Sequence, residues 1–385
     1  MTKRKVCVVI TNRASYGRVK ALLLALNQHP RVNLQLVLGA SLMLSRFGEA
    51  VEIIKRDGFT VSKTLTYMLE GDTLSTQAKS TGLGIQELAS VFEDLQPELV
   101  VTVADRFETM ATAIAASYMN IPLAHIQGGE LSGNIDDKVR HAVTKLADVH
   151  FPATSQAEQR LIQMGENADK IFNYGCPSID LIKAIDNLDS IDERIHRYSG
   201  VGNQINWDED YILMLQHPVT TSFGDGFKQI LATLNSLKTF TNIQKVVLWP
   251  NIDAGTDDVS KGIRIFRENN YDANFHYYKN FEPEIYAKVL NNAICAVGNS
   301  SSFIREGSYL GTPVVLIGDR QRNREHGQNV LFSDHDESMI CSSIKSQIAH
   351  GKYQREFIFG SGEAGVKIAD QLATEPLTYI KSMSY

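Results

Sequence analysis

The strongest constraint on the fold is a rhythm that runs through almost the whole chain. Apolar runs of about six residues alternate with amphipathic stretches of about 10–20 residues, the pattern of βαβ units around a parallel sheet. A first series of strand candidates reads KVCVVI, LQLVLG, LVVTVA, PLAHIQ, VHFPAT and IFNYGC, and a second reads YILMLQ, KVVLWP, FHYYKN, AICAVGN and PVVLIG. Between them lies LIKAIDNLDSIDERIHRYSGVGNQINWDEDY, whose charge and lack of strand character mark a linker with helical pieces. The boundary falls near Asp180 to Lys183, giving an N-terminal domain over 1–181 and a C-terminal domain over 182–365, both α/β, Rossmann-like and doubly wound. At roughly 100–200 residues per domain, a length of 385 residues suits that division.

Several function classes are disfavoured at once. The first strand turns through TNRASYG, with no G-x-G-x-x-G, and Gly82-Leu83-Gly84 follows no strand, so it reads as a turn entering a helix. Without that fingerprint NAD and FAD are not expected. A formal net charge of -6 argues against a polyanion-binding surface and therefore against nucleic acid as a partner. The basic start MTKRK leads into too short an apolar run for a signal peptide, and no later segment approaches about 18–20 apolar residues. A cytoplasmic protein with no membrane partner is the expectation. Cys7, Cys176, Cys295 and Cys341 are far apart in sequence and read as small hydrophobes. The histidines form no HxxH, HExxH or HxH pattern with carboxylates, so no metal is expected, and no G-x-S-x-G elbow is present.

Polar chemistry gathers behind strand after strand, at the carboxyl ends where open α/β sheets bind ligands. Arg13 follows the first strand, Asp105 and Arg106 follow LVVTVA, and Gln127 to Glu130 follow PLAHIQ. In the second series His217 follows YILML, Asn251 follows KVVLWP, and Ser300, Ser301 and Ser302 follow AICAVGN. Small hydroxyl residues opening a helix offer O–H and backbone N–H donors to a phosphate, helped by the helix dipole. Serine is equally favoured as an ordinary N-cap, so both readings of Ser300 and Ser301 stand. Glu306, on the same short helix, is placed to accept hydrogen bonds from ribose hydroxyls, and Arg320 and Arg13 to neutralise a diphosphate. Asp136 and Arg140 share a helix face as an i,i+4 pair, which serves either the helix or a carboxylate in a cleft. Asp105, closing a strand as apolar as ELVVTVA, would be costly if buried unpaired; Arg106 beside it or a substrate would compensate. His217 precedes Pro218, which holds the chain extended there.

These residues carry a resemblance. GGELSGNIDDKVRHAVTKLAD, GCPSID, QHPVTT, PNIDAG and GNSSSFIREG, in that order, make the chain similar to the hydrolysing UDP-sugar 2-epimerases of sialic and legionaminic acid biosynthesis, from TNRASYG to RQRNREHGQNV. The resemblance implies a GT-B-like fold with the UDP-sugar in an interdomain cleft. It also implies a C-terminal helix over about 366–385 that packs back on the first domain, no cofactor, and a homodimer or homotetramer. UDP would leave by elimination across C1 and C2, giving a 2-acetamidoglucal to which water adds with inverted C2. Arg13, Ser300, Ser301, Glu306 and Arg320 match the family's nucleotide positions, with Arg106 and Asn251 lining the same cleft. Asp105, Asp136, Arg140 and His217 match its catalytic positions, with Gln127 and Glu130 in the same loop.

The chain also departs from that pattern. Where the sialic-acid enzymes read HIEGGE it reads HIQGGE, so the amide Gln127 replaces a carboxylate, and an amide exchanges no proton at neutral pH. Either Glu130, Asp136 and Asp105 carry the proton work, or Gln127 orients the sugar's acetamido group. LGASLMLSRFG lacks a histidine near Ser41, and Gly17 and Arg18 replace a serine and a lysine of some relatives. Apolar Leu42, Met43 and Leu44 suit a 6-deoxy, 4-acetamido sugar, pointing to UDP-2,4-diacetamido-2,4,6-trideoxyglucose; the same run also reads as the start of a buried helix. The rival substrate is UDP-GlcNAc, giving free ManNAc. Rival activities are a non-hydrolysing 2-epimerase, a GT-B glycosyltransferase and a non-catalytic regulator that binds nucleotide sugars.

Overall fold

A computed structural model describes every residue except 1, 45–49, 134, 192, 203–204, 252, 271–273 and 383–385. The chain divides into two compact units: Met1–Leu131, Ile135–Lys183 and Phe359–Tyr385 form one, Ser132–Asn134 and Ala184–Ile358 the other.

The first unit runs β1 (Arg4–Ile10), α1 (Arg13–Gln28), β2 (Val32–Gly39), α2 (Ala50–Arg56), β3 (Val61–Leu65), α3 (Leu74–Leu95) and β4 (Leu99–Val103). It continues through α4 (Phe107–Tyr118), β5 (Leu123–Ile126), α5 (Ile135–Leu146), β6 (Val149–Phe151), α6 (Ser155–Gln163) and α7 (Pro177–Lys183). Its strands lie parallel in the order β3-β2-β1-β4-β5-β6. Successive β1 residues feed opposite faces: Val6, Val8 and Ile10 join one buried cluster, Cys7 and Val9 another. That two-sided burial is why the strand reads as a continuous apolar run. Helix α1 opens where Asn12 accepts from the Ser15 N–H at 2.9 Å, and it buries Val19, Leu22, Leu23 and Leu26 at helical spacing.

The second unit runs β7 (Tyr211–Leu215), α8 (Gly226–Lys238), β8 (Gln244–Leu248), α9 (Thr256–Asn269), β9 (Phe275–Tyr278) and α10 (Pro283–Asn292). It ends with β10 (Cys295–Gly298), α11 (Ser301–Leu310), β11 (Val314–Ile317), β12 (Val330–Ser333) and α12 (Glu337–His350). Its parallel sheet is ordered β12-β11-β10-β7-β8-β9, which read backwards repeats the first unit's order. Finally α13 (Ala364–Thr374) returns to the first unit, where Ile368, Ala369 and Leu372 share a core with the buried face of α1. Asp180 caps it, accepting from the Ala364 and Gly365 N–H groups at 3.0 and 2.6 Å. Beyond it, Lys381 donates to the Thr144 and Ala147 carbonyls at 2.9 and 2.5 Å, at the C-terminal end of α5.

Four expectations need correction. The C-terminal helix expected over about 366–385 is helical only over Ala364–Thr374, and residues 375–382 are not helical. IFNYGC is not a strand: Ile171 alone makes an isolated bridge, to His150, while Phe172 and Tyr174 stack on each other at 6.1 Å and Gly175 turns with φ +89. The sixth strands are instead β3 and β12, whose partly exposed edge positions give no apolar run. Gly82-Leu83-Gly84 is no turn but the middle of α3. A Cβ at Gly84 would lie 2.9 Å from Tyr67 Cε2 and 3.1 Å from Ala111 Cβ, so the glycine admits the buried Tyr67 ring and helix α4.

Candidate active site

In each sheet the strand order reverses direction once, between β1 and β4 and between β7 and β10. Beyond the carboxyl ends of such strands a doubly wound sheet opens a crevice for ligands. Arg13, Asp105, Arg106, His217, Ser300, Ser301 and Glu306 follow the strands that flank these reversals, and the other candidates follow the neighbouring strands β5, β8 and β11.

In the first unit, Arg13 opens α1 directly after β1. Across the reversal, Ala104 leaves β4 with φ +66, and Asp105 follows at 7 % exposure. Its partner is Arg140 of α5, itself 0 % exposed, which forms an ion pair with Asp105, pairs with Asp137 at 2.5 Å and donates to the Glu130 carbonyl at 2.7 Å. Burial opposes Arg140's charge, but the carboxylates of Asp105, Glu130 and Asp137 outweigh it and raise its pKa. Asp136 sits half-buried on the first turn of the same helix. The compensating cation for Asp105 is therefore Arg140; Arg106 instead holds Glu108, Nε to Oε2 at 3.2 Å.

The turn that carries Asp105 is fixed from β5. His125 is fully buried, its pKa pushed down to about 3 mainly by desolvation, so the ring is neutral at ordinary pH. A carbonyl can only accept, so Nε2–H donates to Ala104 O at 2.8 Å and Nδ1 faces Thr144 Oγ1 at 3.3 Å. Gln127 follows β5 with φ +67 and 1 % exposure, its Nε2–H donating to Cys176 Sγ at 3.0 Å. Glu130 is also buried.

In the second unit, Gly298 ends β10 with φ +141, and a Cβ there would lie 2.0 Å from Leu215 O, so only glycine lets β10 approach β7. Asn299 then braces His217 from both sides: Oδ1 accepts its N–H at 2.7 Å and Nδ2 donates to its carbonyl at 2.9 Å. His217 Nδ1 accepts from the Asn251 N–H at 3.1 Å, which leaves the ring proton on Nε2. Ser300 is the N-cap of α11, accepting from Ser302 N–H at 3.4 Å, with Ser301 the first helical residue and Glu306 half-buried one turn on. Arg320, beyond β11, pairs with Asp253 at 3.3 Å. Asp137, His125, Asn299, Asp253 and Cys176 were missed as partners; all but His125 lie inside the motifs GGELSGNIDDKVRHAVTKLAD, GNSSSFIREG, PNIDAG and GCPSID, the one signal that pointed at them.

Among the described residues no group of three or more His, Cys, Asp and Glu side chains is placed to hold a metal ion, and no helix is long and apolar enough to cross a membrane.

Two successive Rossmann-like units, each a parallel six-stranded sheet with one strand-order reversal, define an α/β protein of the GT-B-like class. Within that class the chain belongs to the UDP-N-acetylglucosamine 2-epimerase family, whose model matches residues 24–373. It is 31% identical to the UDP-N,N'-diacetylbacillosamine 2-epimerase (hydrolyzing) of Legionella pneumophila over 97% of both chains. It is 28% identical to the UDP-N-acetylglucosamine 2-epimerase of Neisseria meningitidis, over 94% of this chain and 92% of that one. The crystal structure of the Neisseria meningitidis UDP-GlcNAc 2-epimerase bound to UDP-GlcNAc shares the fold, with TM-score 0.77 and 18% identity over 96% of this chain and 99% of that one. The chain is thus an enzyme of the UDP-sugar 2-epimerase type.

Proposed function

We propose that the protein is a hydrolysing 2-epimerase acting on UDP-2,4-diacetamido-2,4,6-trideoxyglucose in the legionaminic acid pathway. The observation that carries the reading is the buried Asp105–Arg140 ion pair beyond β4, with Glu130 and Asp136 on the adjoining loop and helix. A carboxylate takes the C2 proton as the C1–O bond breaks and its electron pair leaves with UDP. A second acid then returns a proton to the opposite face of C2 while water adds to C1 and gives up a proton to the carboxylate so formed, leaving hydroxyl on C1. Asp105 and Asp136 are assigned these proton transfers. Arg140 orients Asp105, and His217, with its proton on Nε2, is assigned to the water or the leaving oxygen. Arg13, Arg106, Asn251, Ser300, Ser301, Glu306 and Arg320 are assigned to UDP, whose developing charge is best met by fixed donors and cations.

The hydrolysing outcome and the diacetamido sugar are supported by the Legionella relative; Leu42, by contrast, packs into the core of the first unit and does not line a sugar site. UDP-GlcNAc is the second reading, supported by the Neisseria relative. Incubation with each sugar nucleotide, without added metal, with UDP release and free sugar followed by NMR, tests both. Faster turnover of the diacetamido sugar to a free C2-inverted product is expected. Exclusive turnover of UDP-GlcNAc would establish the second reading, and return of an epimerised UDP-sugar would remove the hydrolytic step.

A further inference from the structure

The residue that departs most from the family pattern has an environment that explains the departure. Gln127, Cys176 and Ser178 are buried together at 1, 1 and 3 % exposure, with Gln127 Nε2 3.0 Å from Cys176 Sγ and Sγ 3.1 Å from Ser178 Oγ. The sulfur is held by the main chain: the Cys176 N–H donates to Phe359 O at 2.8 Å, and Gly175 and Gly360 pack backbone to backbone, a Cβ at Gly175 lying 2.8 Å from Gly360 Cα. An ionised carboxylate at 127 has no proton to give this sulfur, whereas an amide donates from nitrogen and keeps its oxygen as an acceptor. That oxygen, Gln127 Oε1, is buried and makes no hydrogen bond among the described residues. A buried polar atom left this way calls for a partner, and beside the candidate catalytic loop a bound ligand is one that would supply it. The left-handed backbone at Gln127, φ +67, is the kind of local strain that clusters at ligand sites.

We infer that Cys176 is a positioning residue: by accepting the Nε2–H of Gln127 it sets the amide so that Oε1 receives the N–H of an acetamido substituent on the sugar. Gln127 then orients substrate and carries no proton. This rests on the proposed UDP-sugar reaction and names the substituent that the site reads.

A double-mutant cycle on the full-length protein tests it, with UDP-GlcNAc and the diacetamido sugar nucleotide as probes and calorimetric affinity for UDP alone as a reference. Cys176→Ala is expected to raise KM for the sugar nucleotide roughly tenfold, the scale of one hydrogen bond, with UDP affinity unchanged. Cys176→Ser, whose hydroxyl accepts the same N–H, is expected to restore KM to within about threefold. Gln127→Leu should match Cys176→Ala, and the double variant should be no worse than either, because both remove one contact. Additive losses, equal losses in UDP affinity, or failure of serine to rescue overturn the inference while wild-type turnover leaves the reaction standing. A wild type that releases UDP from neither sugar nucleotide overturns both. If Cys176→Ala does not fold, the pair Cys176→Ser and Gln127→Leu decides: unchanged KM in Gln127→Leu overturns the inference.

Discussion

At the scale of single residues, the candidate site is a set of charges and amides fixed before substrate arrives. Arg140 shows how much rests on one side chain: it joins Asp105, Asp137 and the Glu130 carbonyl while completely buried. Arg140→Met should lower stability by about 3–5 kcal/mol, because it strands a buried carboxylate, and should abolish turnover; a denaturation midpoint equal to wild type contradicts this. Asn299→Leu, which removes both braces on His217, should cut kcat more than it raises KM and lower stability by about 1–3 kcal/mol, read from steady-state kinetics and urea unfolding. Asp105 was legible in sequence because an aspartate at the end of so apolar a strand needs an explanation. Its true partner was not, since Arg140 lies 35 positions away and nothing local separates it from Arg106. The buried His125 carried no signal of its own in the sequence; its bond to Ala104 shows what it holds.

At the scale of elements, α5 has chemistry at one end and an anchor at the other. Asp136, Asp137 and Arg140 occupy its first turns, while Lys381 binds the carbonyls at its far end and, with Lys145 and His150, surrounds Glu166. Burial pushes the Glu166 carboxyl up, but hydrogen bonds from His150, Lys381 and Lys145 outweigh it and hold the pKa at about 2, below its ordinary 4.5. Its stabilising contribution is therefore present above pH 4.5 and is lost as pH falls from 4.5 towards about 2. Glu166→Gln should flatten the acid limb of a stability-against-pH curve in that window and leave the steepness elsewhere unchanged. Most strands were legible as elements because both faces of each sheet are buried. The edge strands β3 and β12 were not, because Lys63 and its exposed neighbours look like loop. The glycines inside α3 were misread because the reason for one of them, the Tyr67 ring, lies elsewhere in the chain.

At the scale of the whole molecule, two units of the same strand order share one chain, and the rhythm of apolar runs made the two-unit architecture readable apart from one edge strand in each sheet. Nucleotide binding, assigned mostly to residues of the second unit, should appear as linkage: UDP at 100 times its Kd should add about 2.7 kcal/mol to stability, and Glu306→Ala should shrink that gain in a thermal shift series. The return of α13 also sets a timetable. The buried stripe of α1, made among the first residues, has its covering helix supplied only by residues near 370, and Arg4 bonds the Glu375 carbonyl across 371 positions. As the polypeptide leaves the ribosome, the segment Ala184–Ile358 is complete and able to fold while the earlier-made half still waits for its last helix. The covering of that apolar helix can thus be completed only after the whole second unit has been made.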